Sequence, residues 1–164
     1  MALDSLGKYE ESAKKFEKSV KYKKDYVEGW NNWGIALDKL GRHEEAIRKY
    51  GKAVEYKADY ADAWYNWGHS LNSRDRHQEA IEKYKQVIFH RDDHLDAWCN
   101  WGHSLGMLGR YEEAIEKYQN AIKHKSDYAE AWYFWGIALK GLDRKDEAQE
   151  KLEEAKKLGF NLSF

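Results

Sequence analysis

A chain of 164 residues and 19.4 kDa holds one ordinary domain or a short repeat array, not two large domains with a cleft between them. Lys+Arg 28 against Asp+Glu 29 give a formal net charge of -1 and a pI near 6.7, so no overall positive field awaits a phosphate backbone and nucleic acid is not an expected partner. A mean hydropathy of -0.98 would suit a solvated coil, but 15% aromatic residues bring too much apolar surface for one. One cysteine rules out an internal disulfide, and no apolar run approaches the roughly 20 residues of a membrane span.

In chain order, Met1-Ala2-Leu3-Asp4-Ser5-Leu6 carries neither the basic nor the apolar region of a secretory signal, and a cytoplasmic location is expected. Residues 1–6 read as the tail of one helix and residues 8–22 as a second, with Ala13 and Val20 facing forward. Residues 1–26 therefore read as a partial repeat, mainly its second helix, and the chain is expected to begin inside a longer array. From residue 27 a 34-residue period sets in. Trp30, Trp64, Trp98 and Trp132 each open Trp-x-x-Trp-Gly, and Trp33, Trp67, Trp101 and Trp135 are the second members. The units are 27–60, 61–94, 95–128 and 129–162, in one continuous solenoid domain.

Each unit reads as two helices. In the first, Trp30, Trp33, Leu37 and Leu40 form one stripe with Gly34 on the same face, where a glycine lets a second backbone come close. Asp25, Asp59, Asp93 and Asp127 are the expected caps, each followed three residues later by a carboxylate. Gly41, Asp75, Gly109 and Asp143 mark a tight turn. The second helix runs from about His43 to Tyr56 on a stripe of Ile47, Tyr50, Ala53 and Val54. Its outer face carries Glu45/Lys49, Glu79/Lys83 and Glu113/Lys117 at ion-pair spacing. In the last unit Gln149 and Lys156 replace apolar residues, so the final helix faces water, and Lys156-Lys157-Leu158-Gly159 is a helix stop. Nine to ten helices are expected, counting a stub before residue 8.

Leucines follow each glycine (Leu37, Leu71, Leu105, Leu139), then alanines (Ala46, Ala80, Ala114, Ala148), then Tyr50, Tyr84, Tyr118 and Leu152. This order resembles the tetratricopeptide repeat (TPR), over residues 27–162. The proline that the family carries near the end of the second helix is absent. The resemblance implies an all-α, right-handed superhelical solenoid of antiparallel helix pairs. First helices would line its concave groove, with Glu28-Asn32-Ile35-Lys39 and the equivalent lines side by side.

Asn32, Asn66 and Asn100 would then form a ladder that pairs with the backbone of a bound peptide, since an amide offers donor and acceptor together. Lys39, Tyr65, His69, Cys99, His103, Tyr133 and Phe134 are the candidates for reading side chains. A plainer account is a polar residue copied by duplication. Being off the Trp stripe, the asparagines are expected to matter little for stability. The cations of a carboxylate clamp are missing, with Asn31, Ile35, His69, Ser73, His103 and Met107 in their places. His69 with His103, and His90 and His94 beside Asp92 and Asp93, are the groups weighed for a metal, and none is expected. A groove holding His69 and His103 is expected to lose a basic ligand near pH 6. Neither a phosphate loop nor a hydrolase motif is present, Cys99 has no evident base, and neither catalysis nor a cofactor is expected. The function read is a non-catalytic scaffold binding a protein or peptide partner; the alternatives are a self-assembling array or a regulatory segment of a larger protein.

Overall fold

Repetition of the Trp-x-x-Trp-Gly pentad becomes repetition of helical hairpins in the computed structural model, which describes residues 2–160, with side chains from residue 6 onward. Residue 1 of the partial repeat and residues 161 and 162 of the last unit lie outside the described residues. The helices are α1 (Ala2–Tyr22), α2 (Val27–Lys39), α3 (His43–Tyr56), α4 (Ala61–Asn72), α5 (His77–His90), α6 (Leu95–Met107), α7 (Tyr111–His124), α8 (Ala129–Gly141) and α9 (Lys145–Lys157). The expected stub is absent, because α1 runs unbroken through Gly7, which sits in open space. No helix among the described residues is long and apolar enough to cross a membrane.

Two compact units divide the chain, Met1–His90 and Arg91–Phe164. In the first, α1 to α5 pack each on the next and α2 also meets α4; in the second, α6 to α9 do the same and α6 meets α8. Small residues make the closest contacts. Ala46, Ala53, Ala63 and Ala80 are fully buried in the first unit, as are Ala97, Ala114, Ala121 and Ala131 in the second. The tyrosines of α3, α5 and α7 lie on the glycines of α2, α4 and α6, and Leu152 of α9 lies on Gly136 of α8. A Cβ on Gly34 would stand 2.4 Å from Tyr50, on Gly68 2.7 Å from Tyr84, and on Gly102 2.5 Å from Tyr118. The glycine admits a ring rather than a second backbone.

The tryptophans do not form the deepest layer. All eight are half-buried. Trp64 and Trp67 stack at 5.5 Å between centroids and pack on Ala53, Val54 and Ala63, and the other pairs stack in the same way at 5.5–5.6 Å. The first indole of each pair donates to the carbonyl six residues back, Trp30 to Lys24 and Trp64 to Ala58 at 2.7 Å, which ties the incoming corner to the helix. A lysine of the second helix covers each pair, with Lys49 Nζ 3.8 Å from the Trp33 ring centroid and Lys83 Nζ 4.0 Å from that of Trp67. Rings this large fill the outer wedge between helices, while the line of closest approach needs glycine and alanine.

Two local expectations are corrected. The residue before α2, α4 and α8 is a tyrosine, Tyr26, Tyr60 and Tyr128, with no side-chain cap, and before α6 it is His94, whose Nδ1 accepts from Ala97 N at 3.3 Å. The aspartates therefore sit one residue too early to cap. The outer-face carboxylates turn back toward arginine. Arg42 binds both oxygens of Glu45 at 2.6 and 2.9 Å, and Arg76 those of Glu79 at 2.7 and 2.8 Å. Arg110–Glu113 and Arg144–Glu147 repeat the pair in the second unit. A planar guanidinium matches a carboxylate twice over, whereas Lys49 and Lys83 are drawn onto the indoles.

The turns fall where the sequence places them. Gly41, Asp75, Gly109 and Asp143 have φ of 73°, 57°, 74° and 57°. Beside Gly41, Arg42 N donates to Leu37 O and Gly41 N to Asp38 O, both at 2.9 Å, which closes the helix through a left-handed residue. Gly159, φ 89°, ends α9 in the same way.

Candidate functional site

In the first unit, α2, the start of α3 and α4 enclose a pocket of about 370 Å³ lined by Ile35, Asp38, Lys39, His43, Tyr50, Tyr65, Asn66, His69 and Ser73. It holds four of the sequence candidates, Lys39, Tyr65, Asn66 and His69, and its polar floor is built by residues that sequence reasoning passed over. Asp38 is the centre. One carboxylate oxygen accepts from Tyr50 OH at 2.7 Å, and the other accepts from Ser70 Oγ at 2.8 Å and from His43 Nδ1 at 2.9 Å. Burial and then the Asp38 charge push the Tyr50 hydroxyl far above its usual range, so it stays a donor. A periodic signal for this cluster existed: Asp38 and His43, like Asn72 and His77 one period later, precede Tyr50 and Tyr84. In the later copy His77 Nδ1 meets Asn72 Oδ1 at 3.1 Å and Asn72 Nδ2 donates to Tyr84 OH at 3.2 Å.

Asn66 lies on the pocket wall, and its amide Nδ2 donates to Asn31 Oδ1 at 3.0 Å. Asn31 is 4% exposed, so this bond also satisfies a buried amide, a structural role for Asn66 that its place off the Trp stripe did not reveal. Asn32 is half-buried on the same helix. Among the described residues, the Lys39 ammonium, the His69 ring and Asn66 Oδ1 have no polar partner. Tyr65 stacks at a tilt against Tyr84, 6.1 Å between centroids.

The second unit carries different chemistry at the same places. Asn100 Nδ2 donates to Asp96 O of its own helix at 2.9 Å. Cys99 is 3% exposed and burial pushes its thiol well above the usual range, so it packs inside and leaves the set of residues that could read a guest. Phe134 is the hub of an aromatic patch, stacked on Tyr118 at 6.1 Å and edge-on to Tyr133 at 5.3 Å and His103 at 6.0 Å. Met107, 57% exposed, and Ile137, 41% exposed, stand where the first unit has Lys39 and His69. Tyr133 also stacks on Phe160 at 4.5 Å, in a cleft of about 460 Å³ reaching Gln149, Leu152 and Lys156. Among the described residues no group of three His, Cys, Asp or Glu gathers as metal ligands would. His94, weighed as a ligand, serves as the cap of α6.

Comparison with known proteins agrees with the hairpins. A family model described as the TPR repeat matches residues 36–72 and 102–143. No curated protein matches the sequence. Among solved structures, the chain is similar to MamA, with 24% identity, TM-score 0.87 and coverage of 94% of this chain and 91% of that one. It is similar to MamA from Desulfovibrio magneticus RS-1 at 20% identity and TM-score 0.86, over 96% and 89% of the two chains. It is also similar to YrrB, described as a TPR protein with an unusual peptide-binding site, at 18% identity and TM-score 0.81 over 98% and 82%. Taken with the 34-residue period and the glycine–tyrosine hairpins, these matches show that the chain carries tetratricopeptide repeats and their fold.

Proposed function

We propose that this protein is a non-catalytic protein-interaction scaffold whose first helices bind a segment of a partner protein. Asn32, Asn66 and Asn100 meet the partner's backbone, while Lys39, Tyr65, His69, His103, Tyr133 and Phe134 read its side chains. The observation that carries this reading is the Asn66 amide. It is held on the pocket wall by a buried neighbour, with its carbonyl oxygen unspent beside the exposed Lys39 and His69. Pre-orienting an amide in this way lowers the entropy that binding must overcome. The peptide-binding site named for YrrB, which shares the fold, supports the same reading.

The test is capture of a partner from a lysate, its mapping to a peptide, and titration of that peptide against parent, Asn66→Ala and Asn100→Ala. Each amide lost from a peptide contact weakens binding by about tenfold, on the scale of roughly 1–3 kcal/mol for an unsatisfied group. Unchanged affinity in both folded variants would refute the ladder. A self-assembling array is the second reading, favoured by Tyr22 and Phe89, which are 96% and 80% exposed. Light scattering over a dilution series separates the two, since a chain monomeric at micromolar concentration excludes self-assembly as the main role.

A further inference from the structure

We propose that the pocket of the first unit is a seat for a basic side chain, arginine above all, of the bound segment. The inference rests on the scaffold reading above and adds what that site selects. It follows from which polar atoms are already engaged. A carboxylate only accepts, so His43 Nδ1, 2.9 Å from Asp38, donates to it, and that bond holds the ring on the carboxylate. Asn66 spends one N–H of its Nδ2 on buried Asn31 at 3.0 Å, which holds the amide in place with Oδ1 left as an acceptor for a guest. Behind both stands the Asp38 carboxylate, the one formal negative charge of the lining. Glu28 and Asp62, exposed in the first turns of α2 and α4, add two more at the start of the same helices.

An unspent amide oxygen backed by carboxylates asks for a guest that brings donors and positive charge. A guanidinium fits this better than an ammonium, because its planar fork can donate to more than one acceptor at once. About 370 Å³ is near the lower end of ligand pockets and suits one side chain. Lys39 is the pocket's own cation and has no partner among the described residues. It therefore acts as a competitor to the guest, and its removal strengthens binding. An anion seat would respond in the opposite sense.

The experiment uses blocked, alanine-rich decapeptides with one central Arg, Lys, Glu or Leu, titrated into the full chain and followed by the NMR signals of the Asn66 side-chain amide and the His69 backbone amide. Two variants copy what the next repeat already carries in the same fold: Asp38→Asn reproduces Asn72, and Lys39→Ser reproduces Ser73. Melting curves confirm that each is folded. The expected result is tightest binding by the Arg peptide and weakest by the Glu peptide. Asp38→Asn should weaken the Arg peptide by about tenfold without affecting the Leu peptide, and Lys39→Ser should strengthen the Arg peptide several-fold. Arg and Leu peptides of equal affinity would overturn the basic seat while leaving the scaffold reading standing. A Glu peptide that binds as tightly as the Arg peptide, or an Arg peptide weakened by Lys39→Ser, would overturn it too. If none of the four moves the Asn66 signal, both readings fall.

Discussion

Gly68→Ala tests the packing assignment most directly, because the added group is a single methyl and its neighbour is known. The new Cβ would lie 2.7 Å from Tyr84 Cε1 and 2.9 Å from Cζ, where ordinary contact begins near 3.4 Å. Tyr84 cannot retreat cheaply. It is fully buried, and its hydroxyl accepts from Asn72 Nδ2. Overpacking of this kind costs about 1–3 kcal/mol, against which alanine gains about 1 kcal/mol over glycine in a helix, leaving a net loss of up to roughly 2 kcal/mol. Gly106→Ala is the matched control, since Gly106 lies inside α6 with nothing within 4 Å of the added Cβ. It keeps the propensity gain and should be more stable by up to about 1 kcal/mol, or about 2–4 °C in melting temperature for a chain of this size. Urea and thermal denaturation followed by circular dichroism read both. The reasoning is refuted if Gly68→Ala melts at or above the parent, or if the two alanines shift stability in the same direction.

Asn66→Ala leaves Asn31 Oδ1 buried without its donor and should cost about 1–3 kcal/mol in urea melts; a parent-like midpoint would mean that the bond contributes nothing. Cys99 should react with a thiol reagent at pH 8 far more slowly in the native chain than in guanidinium, and comparable rates would contradict its burial. Lys83→Ala, which uncovers Trp64 and Trp67, should lower stability by about 0.5–1 kcal/mol and shift tryptophan emission, while Lys85→Ala, exposed and paired with exposed Glu82, should do neither. Arg42, Arg76 and Arg144 bind Glu45, Glu79 and Glu147 and hold these carboxyls below their usual range. Depressed folded-state values add stability above the unfolded value near 4.5, and it is lost as pH falls through the folded values. Urea midpoints should therefore drop below about pH 4.5, modestly because the pairs are exposed, and Glu79→Gln should flatten part of that drop.

The hairpin architecture was readable because it depends on few residue types at fixed spacing. Trp, Gly, Leu, Ala and Tyr recur every 34 residues, and each has one place it can pack. Gly41 and Asp75 were readable for a related reason, since a left-handed turn tolerates few side chains. What escaped was any pairing with more than one chemically reasonable partner. Glu45 could meet Lys49 one turn on or Arg42 three residues back, and only the depth of the Trp33 ring beside Lys49 decides it. The Asn66 row was visible as a polar line, but not its bond to Asn31, because the two lie in different helices and their contact depends on how α2 meets α4. Asp38 was hidden by its own repeat, where it looks like one more surface acid.

The same comparison bears on how such a fold acquires a function. Sixty-eight residues on from Asp38, Lys39, His43, Asn66, His69 and Ser70 stand Gly106, Met107, Tyr111, Phe134, Ile137 and Ala138. The framework around both sets is the same, with Leu37 and Tyr50 in one and Leu105 and Tyr118 in the other all buried. Backbone geometry therefore does not demand polarity at these positions, since the second unit folds with apolar residues there. A buried or half-buried carboxylate with three donors is costly to build and contributes less to stability than well-packed apolar residues of similar size. The second unit supplies that apolar alternative, with Phe134 packed on Tyr118. Asp38, His43 and Ser70 are thus not needed to hold the helices together, and the proposed seat for a basic side chain gives them a use.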